Sequence, residues 1–99
     1  IYAQIARNLG SLGEFEKTIT IANIGIQLCE KLETMNSLAH LYNFKAISLF
    51  HLDRFDEAIV EFDNTFKVLY IGGNQTRTEA FKSHYEKHFS SKLSDIQKN

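Results

Sequence analysis

The chain has 99 residues, of which 43% are hydrophobic, with a net charge of −1, one cysteine and no proline. That length holds one domain or part of one, and the hydrophobic share is that of a folded chain rather than a disordered one. The near-zero charge excludes an electrostatic surface for nucleic acid, the lone Cys29 excludes an internal disulfide framework and suits a reducing, cytoplasmic setting, and no apolar run approaches the roughly 20 residues that span a bilayer.

Apolar residues recur at helical spacing in five stretches. Ile1, Ile5, Leu9 and Leu12 mark the first, which ends near Gly10–Gly13. It lacks a basic start followed by an apolar core, so it is no secretory leader. Ile1 already stands inside the amphipathic pattern, so the chain reads as a segment of a longer protein. Phe15, Ile19, Ala22, Ile26, Cys29 and Leu32 mark the second stretch, with Glu14 and Glu16 placed to suit a helix N-terminus. Leu38, Leu41, Tyr42, Ala46, Leu49, Phe50 and Leu52 mark the third, with Asn36 or Ser37 as its expected cap. Phe55, Ala58, Ile59, Phe62, Phe66 and Leu69 mark the fourth, with Asp53 as the expected cap. Residues 71–74, Ile-Gly-Gly-Asn, are a helix stop; they follow a helix and lack the Lys and Ser/Thr of a phosphate loop. Thr76 and Glu79 have the spacing of a capping box. They open a fifth helix with Phe81, Tyr85, Phe89, Leu93 and Ile96, and the last three residues fray. No stretch alternates like a strand. The expected fold is all-α, with connections short enough to make neighbouring helices antiparallel.

Shifting the chain by 40 residues aligns Tyr2 with Tyr42, Ala6 with Ala46, Leu9 with Leu49, Leu12 with Leu52, Phe15 with Phe55 and Ile19 with Ile59. These identities fall on the apolar faces, while the polar positions between them differ freely. A helical hairpin repeated at roughly 34–47 residues is the signature of an α-solenoid. The expected units are repeat one over 1–33, repeat two over 37–71 and a terminal capping helix over 75–96, all within a single domain 1–99.

The pattern resembles the tetratricopeptide repeat, W-x2-L-G-x2-Y…A-x3-F…P. The second copy matches as Tyr42-x2-Lys45-Ala46-x2-Leu49 and Ala58-x3-Phe62, the first as Tyr2-x2-Ile5-Ala6-x2-Leu9 and Thr18-x3-Ala22, with Gly25 at the next small position. Small residues at Ala6, Ala46 and Ala58 let helices approach closely, and the large Tyr2, Phe15, Tyr42, Phe55 and Phe62 fill the space around them. The chain departs from the pattern in three ways. The closing proline is absent where Glu30 and Tyr70 stand, so each second helix is expected to run long. The period is 40 rather than roughly 34. Lys45 replaces an apolar residue, which predicts looser packing or a snorkelling stem. The fifth helix, with Lys82, Glu86, Lys87, Lys92, Asp95 and Lys98 around a narrow apolar stripe, has the polar outer face of a solenoid end.

The resemblance implies a concave groove lined by the first helix of each pair, here Ala3, Gln4 and Arg7, then His40, Asn43, Phe44, Ile47, Phe50 and His51. An asparagine can donate to and accept from an extended peptide, an arginine can clamp a carboxylate, and Phe44, Ile47 and Phe50 supply apolar contact unless they face another helix or subunit. Ala3, Arg7 and Phe44 stand where a chaperone-tail clamp would carry Lys and Asn, which disfavours that subtype. His84 and His88 lack the Glu that follows the first histidine of a zinc-protease motif and have no third ligand, so no metal is expected. Cys29 reads as a small buried hydrophobe.

The expected function is therefore non-enzymatic binding of a peptide or protein segment, without cofactor. The long repeats, missing prolines and terminal helix are also similar to the C-terminal region of Rgg/PlcR-type transcriptional regulators of Gram-positive bacteria. That resemblance implies a cytoplasmic signalling peptide in the groove, a homodimer, and DNA contact through a separate N-terminal domain. The alternatives are a general repeat adaptor, an oligomerisation module, or the helical accessory domain of an enzyme.

Overall fold

The computed structural model describes residues 2–32, 35–72 and 75–93. The fold is all-α, with no strand among the described residues. Helices α1 (Tyr2–Ser11), α2 (Phe15–Leu32), α3 (Met35–His51), α4 (Phe55–Gly72) and α5 (Gln75–Tyr85) follow one another, and α5 runs on through a π-turn at Glu86–Ser90. No helix among the described residues is long and apolar enough to cross a membrane.

The 40-residue shift governs the helix boundaries. α1 and α3 end at Ser11 and His51, α2 and α4 begin at Phe15 and Phe55 and end at Leu32 and Gly72, and α3 and α5 begin at Met35 and Gln75. The second helices are 18 residues long, as expected without a closing proline. Gly73 and Asn74 of the expected stop lie outside the described residues, as do Ile1, Ile96, the terminal three residues and the Cys29 and Leu32 side chains.

The turns inside the hairpins repeat as well. Gly13 N–H donates to Gly10 O (3.1 Å) and Glu14 N–H to Leu9 O (2.9 Å); Asp53 N–H donates to Phe50 O (3.1 Å) and Arg54 N–H to Leu49 O (2.9 Å). This paired pattern is the Schellman motif, whose central residue is left-handed. Gly13 has φ 77° and Asp53 φ 62°. Asp53 therefore closes α3 and does not cap α4, contrary to the sequence expectation. The flanking residues of α2 and α4 are Glu14 and Arg54, whose carbonyls accept from Thr18 (2.9 Å) and Ala58 (3.0 Å). Their side chains form the same local pair with the charges reversed: Glu14 with Lys17 at 3.4 Å, Arg54 with Glu57 at 2.6 Å. Two other expected caps also move. α3 begins at Met35 and α5 at Gln75, so Asn36, Ser37 and Thr76 lie within first turns rather than before them.

Close approach is bought with small residues. Ala6, Ala22, Ala46 and Ala58 have no exposed surface, and α1 packs on α2 and beside α3, α2 on α3, α3 on α4, and α4 on α5. At Gly25 an added Cβ would lie 2.8 Å from both Leu41 Cδ1 and Tyr2 Cβ. Glycine is required there by the contact, at the point where α1, α2 and α3 meet. One core cluster gathers around Ala6, Ala22, Ile26 and Leu41, and a second around Ala46, Leu49, Ala58 and Phe62. The Lys45 ammonium does not reach out to water but finds Glu61 on α4 at 3.1 Å, in a largely buried ion pair between helices.

α5 is held to α4 by aromatic rings. Phe81 meets Phe66 (centroids 5.0 Å), Tyr85 meets Phe62 (5.0 Å), and Phe89 meets Phe62 (5.0 Å) and Phe50 (4.9 Å). Later residues of α5 meet earlier residues of α4, so the two are antiparallel. The stripe 81, 85, 89, 93 steps by four, and four residues overshoot one α-turn by about 40°. The wider π-turn, closed by i→i+5 bonds, takes up that drift and leaves Phe89 and Leu93 buried. It begins at Glu86, which stands where α1 and α3 carry the buried Ala6 and Ala46. An exposed glutamate cannot serve that contact, and the helix re-phases at this position.

Candidate functional site

α3 is the ridge on which the expected groove residues stand, and its two flanks differ. Towards α1 it borders a groove of about 330 Å³. Ala6, Gly10 and Thr18 are its small residues; Phe44, Ile47 and Arg7 are among its lining side chains. The Thr18 hydroxyl is already used, donating to Glu14 O at 2.8 Å. One end is closed by Phe15 of α2 stacked on His51 of α3, with centroids 4.8 Å apart and planes 14° from parallel. Arg7 is exposed and makes no ion pair among the described residues. The groove thus offers apolar walls and one cationic edge, a chemistry suited to an apolar side chain beside a carboxylate or carbonyl.

Towards α5, α3 borders a second cleft of about 270 Å³ lined by His40, Asn43, Thr65, Leu69, Phe81 and His84. Thr65 stands where the first repeat has Gly25. The glycine lets α1 and α3 close tightly over α2; threonine, with its Cβ, holds the next pair apart, and α5 packs its backbone on α4 rather than on α3. The Asn43 carboxamide oxygen is buried here and accepts no hydrogen bond among the described residues. His84 lies against His88 (centroids 4.5 Å) and Phe89 (5.7 Å). Partial burial, then the nearby His88 and Lys87 charges, hold its imidazole below the usual histidine range.

The nine residues expected to share one groove are therefore divided. Arg7, Phe44, Ile47 and His51 come together beside α1, and His40 and Asn43 face the α5 side. Phe50 is internal, with its ring edge-on to Phe55 (5.5 Å) and Phe89 (4.9 Å). Gln4 is exposed and Ala3 packs on the first core cluster. The contributions of Gly10, Phe15 and Thr18 to the α1 groove were not anticipated; Ala6 and Gly10, four residues apart and both small, were the available signal. His84 and His88 remain a pair, and no group of three or more metal-ligating side chains occurs among the described residues. No family profile, curated protein or solved structure matches the chain.

Proposed function

We propose that the chain is a non-catalytic peptide- or protein-binding module of the tetratricopeptide kind, with its ligand segment seated between α1 and α3. The observation that carries this reading is the α1–α3 groove, where Phe44 and Ile47 offer apolar surface beside the guanidinium of Arg7, which makes no ion pair among the described residues. The exact 40-residue phasing of the helices supports the repeat class. Within that reading the ligand is a short hydrophobic peptide, and the setting is the sensing region of a dimeric transcriptional regulator. DNA contact would then fall to another segment, because a net charge of −1 supplies no phosphate-binding surface.

Calorimetric titration with hydrophobic heptapeptides, each with a free and an amidated C-terminus, tests the assignment. The expected result is binding that weakens at least about tenfold with Ile47→Asp or Arg7→Glu, since one charge-assisted contact contributes about 1.5–3 kcal/mol. Binding indifferent to both substitutions, or no binding by any peptide, would overturn it.

A further inference from the structure

The repeat allows each face of one hairpin to be compared with the same face of the other. On the α3–α4 hairpin, the side turned to α2 carries Lys45, Glu61 and Val68. Ile19 and Asn23 of α2 border the same cleft as Lys45 and Glu61, and Ala22 and Ile26 share a core cluster with Val68. Forty residues earlier, the corresponding positions are Ile5, Ile21 and Leu28.

Position by position the two faces differ in chemistry and in exposure, although Val60, which also borders the α2 cleft, is 56% exposed. The covered face contains an ion pair, Lys45 with Glu61 at 3.1 Å, and its Val68 is 8% exposed. The equivalent face of the first repeat is aliphatic, with Ile5 38% and Leu28 39% exposed, beside Ile24 at 42%, and with Ile21 half-buried against the first core cluster. A solenoid end turned to water needs a polar outer face, and an apolar face of this kind marks an interaction surface.

We propose that the Ile5–Ile21–Leu28 face is a stacking surface for one further helical hairpin of the same repeat pattern, whose second helix lies on it as α2 packs on α3 and reaches α4 through its side chains. The existing interface defines the partner's chemistry. α2 presents Ile19, Ala22 and Ile26, two branched side chains around a small one, so the partner helix carries an aliphatic stripe with a small residue at its centre. Glu16 of α2 faces Arg54 at 4.0 Å. The position equivalent to Arg54 is Glu14, so the partner carries a basic residue where α2 has Glu16.

The test is a lengthened chain in which residues 1–40, with Glu16→Lys in the added copy, are repeated ahead of Ile1; His40 then leads into Ile1 as it leads into Leu41. Thermal unfolding is followed for this chain and for the 99-residue chain, each with and without Leu28→Gln in the original segment. The expected result is one transition in the lengthened chain with its midpoint raised by at least about 5 °C. Leu28→Gln should remove most of that gain and leave the 99-residue chain unchanged within about 2 °C. A separate transition for the added hairpin, or an unmoved midpoint, would sink the proposal. So would light scattering that shows the 99-residue chain paired through this face and rendered monomeric by Leu28→Gln, because the occupant would then be a second copy.

Discussion

Gly13 and Asp53 occupy the same left-handed turn position forty residues apart, and only the glycine is free of steric cost there. An L-residue in this region loses about 1–2 kcal/mol, with aspartate among the more tolerant types. Asp53→Gly is expected to raise stability by about 0.5–1 kcal/mol, and Gly13→Ala to lower it by about 1 kcal/mol, both read from urea midpoints. Gly25→Ala acts by a different route, since its Cβ would meet Tyr2 and Leu41 at 2.8 Å; the overpacking should cost about 1–3 kcal/mol. Asn43→Leu should stabilise the fold by roughly 1 kcal/mol, because it removes a buried acceptor that has no donor. Aspartate ahead of a helix usually announces an N-cap, so the sequence pattern around Asp53 points to a cap that the left-handed turn precludes. The sign of φ is not written in an aspartate, although Gly13 at the equivalent position carried the information.

At the scale of the element, the two repeats solve one contact in two ways. Ile5 and Ile21 in the first repeat become Lys45 and Glu61 in the second. The paired change was legible as a coincidence of positions, but a salt bridge between helices could not be read from Lys45 alone. Lys45→Ile by itself should cost about 1–3 kcal/mol by leaving a buried carboxylate unpaired. Lys45→Ile combined with Glu61→Ile should be neutral or stabilising, as is common when a buried pair is replaced by apolar side chains; a double-mutant cycle in urea measures the difference. The π-turn was foreshadowed by the strict four-residue spacing of Phe81, Tyr85, Phe89 and Leu93 and by Glu86 in the alanine position. His84 sits beside this turn with its proton affinity lowered by burial and by His88 and Lys87. The unfolded chain then takes up the proton more readily than the folded one. Stability should be full above the ordinary histidine value of 6.5 and fall as pH drops below it. His84→Gln should flatten the fall in urea midpoint between about pH 7 and 5, the range that brackets an ordinary histidine.

For the whole molecule, the hairpin order and the alanine contacts were readable because periodicity and small residues report directly on which faces touch. The division of the groove was not. Carrying nine residues onto one concave surface assumes that the third first-type helix lies beside α3 as α3 lies beside α1. The threonine at position 65 breaks that assumption, and its effect depends on interhelical distances of a few ångström. The aromatic seam that replaces the missing contact centres on Phe62, whose ring meets Tyr85 and Phe89 at 5.0 Å each. Phe62→Ala should cost about 3–5 kcal/mol and free α5 before the rest, as near-ultraviolet dichroism set against helix content would show.

The order of helix neighbours also sets how the molecule opens. α3 is braced by α1, α2 and α4, whereas α5 leans on α4. Most of these contacts join helices adjacent in the chain, so the protein should fold quickly for its size and should open locally at its less braced end before it unfolds as a whole. Amide hydrogen exchange is expected to be slowest in the middle of α3, around Leu41 to Leu49, and fastest in α5. A ligand seated between α1 and α3 would therefore slow exchange on the already slow side of the molecule and leave the α5 amides nearly unchanged.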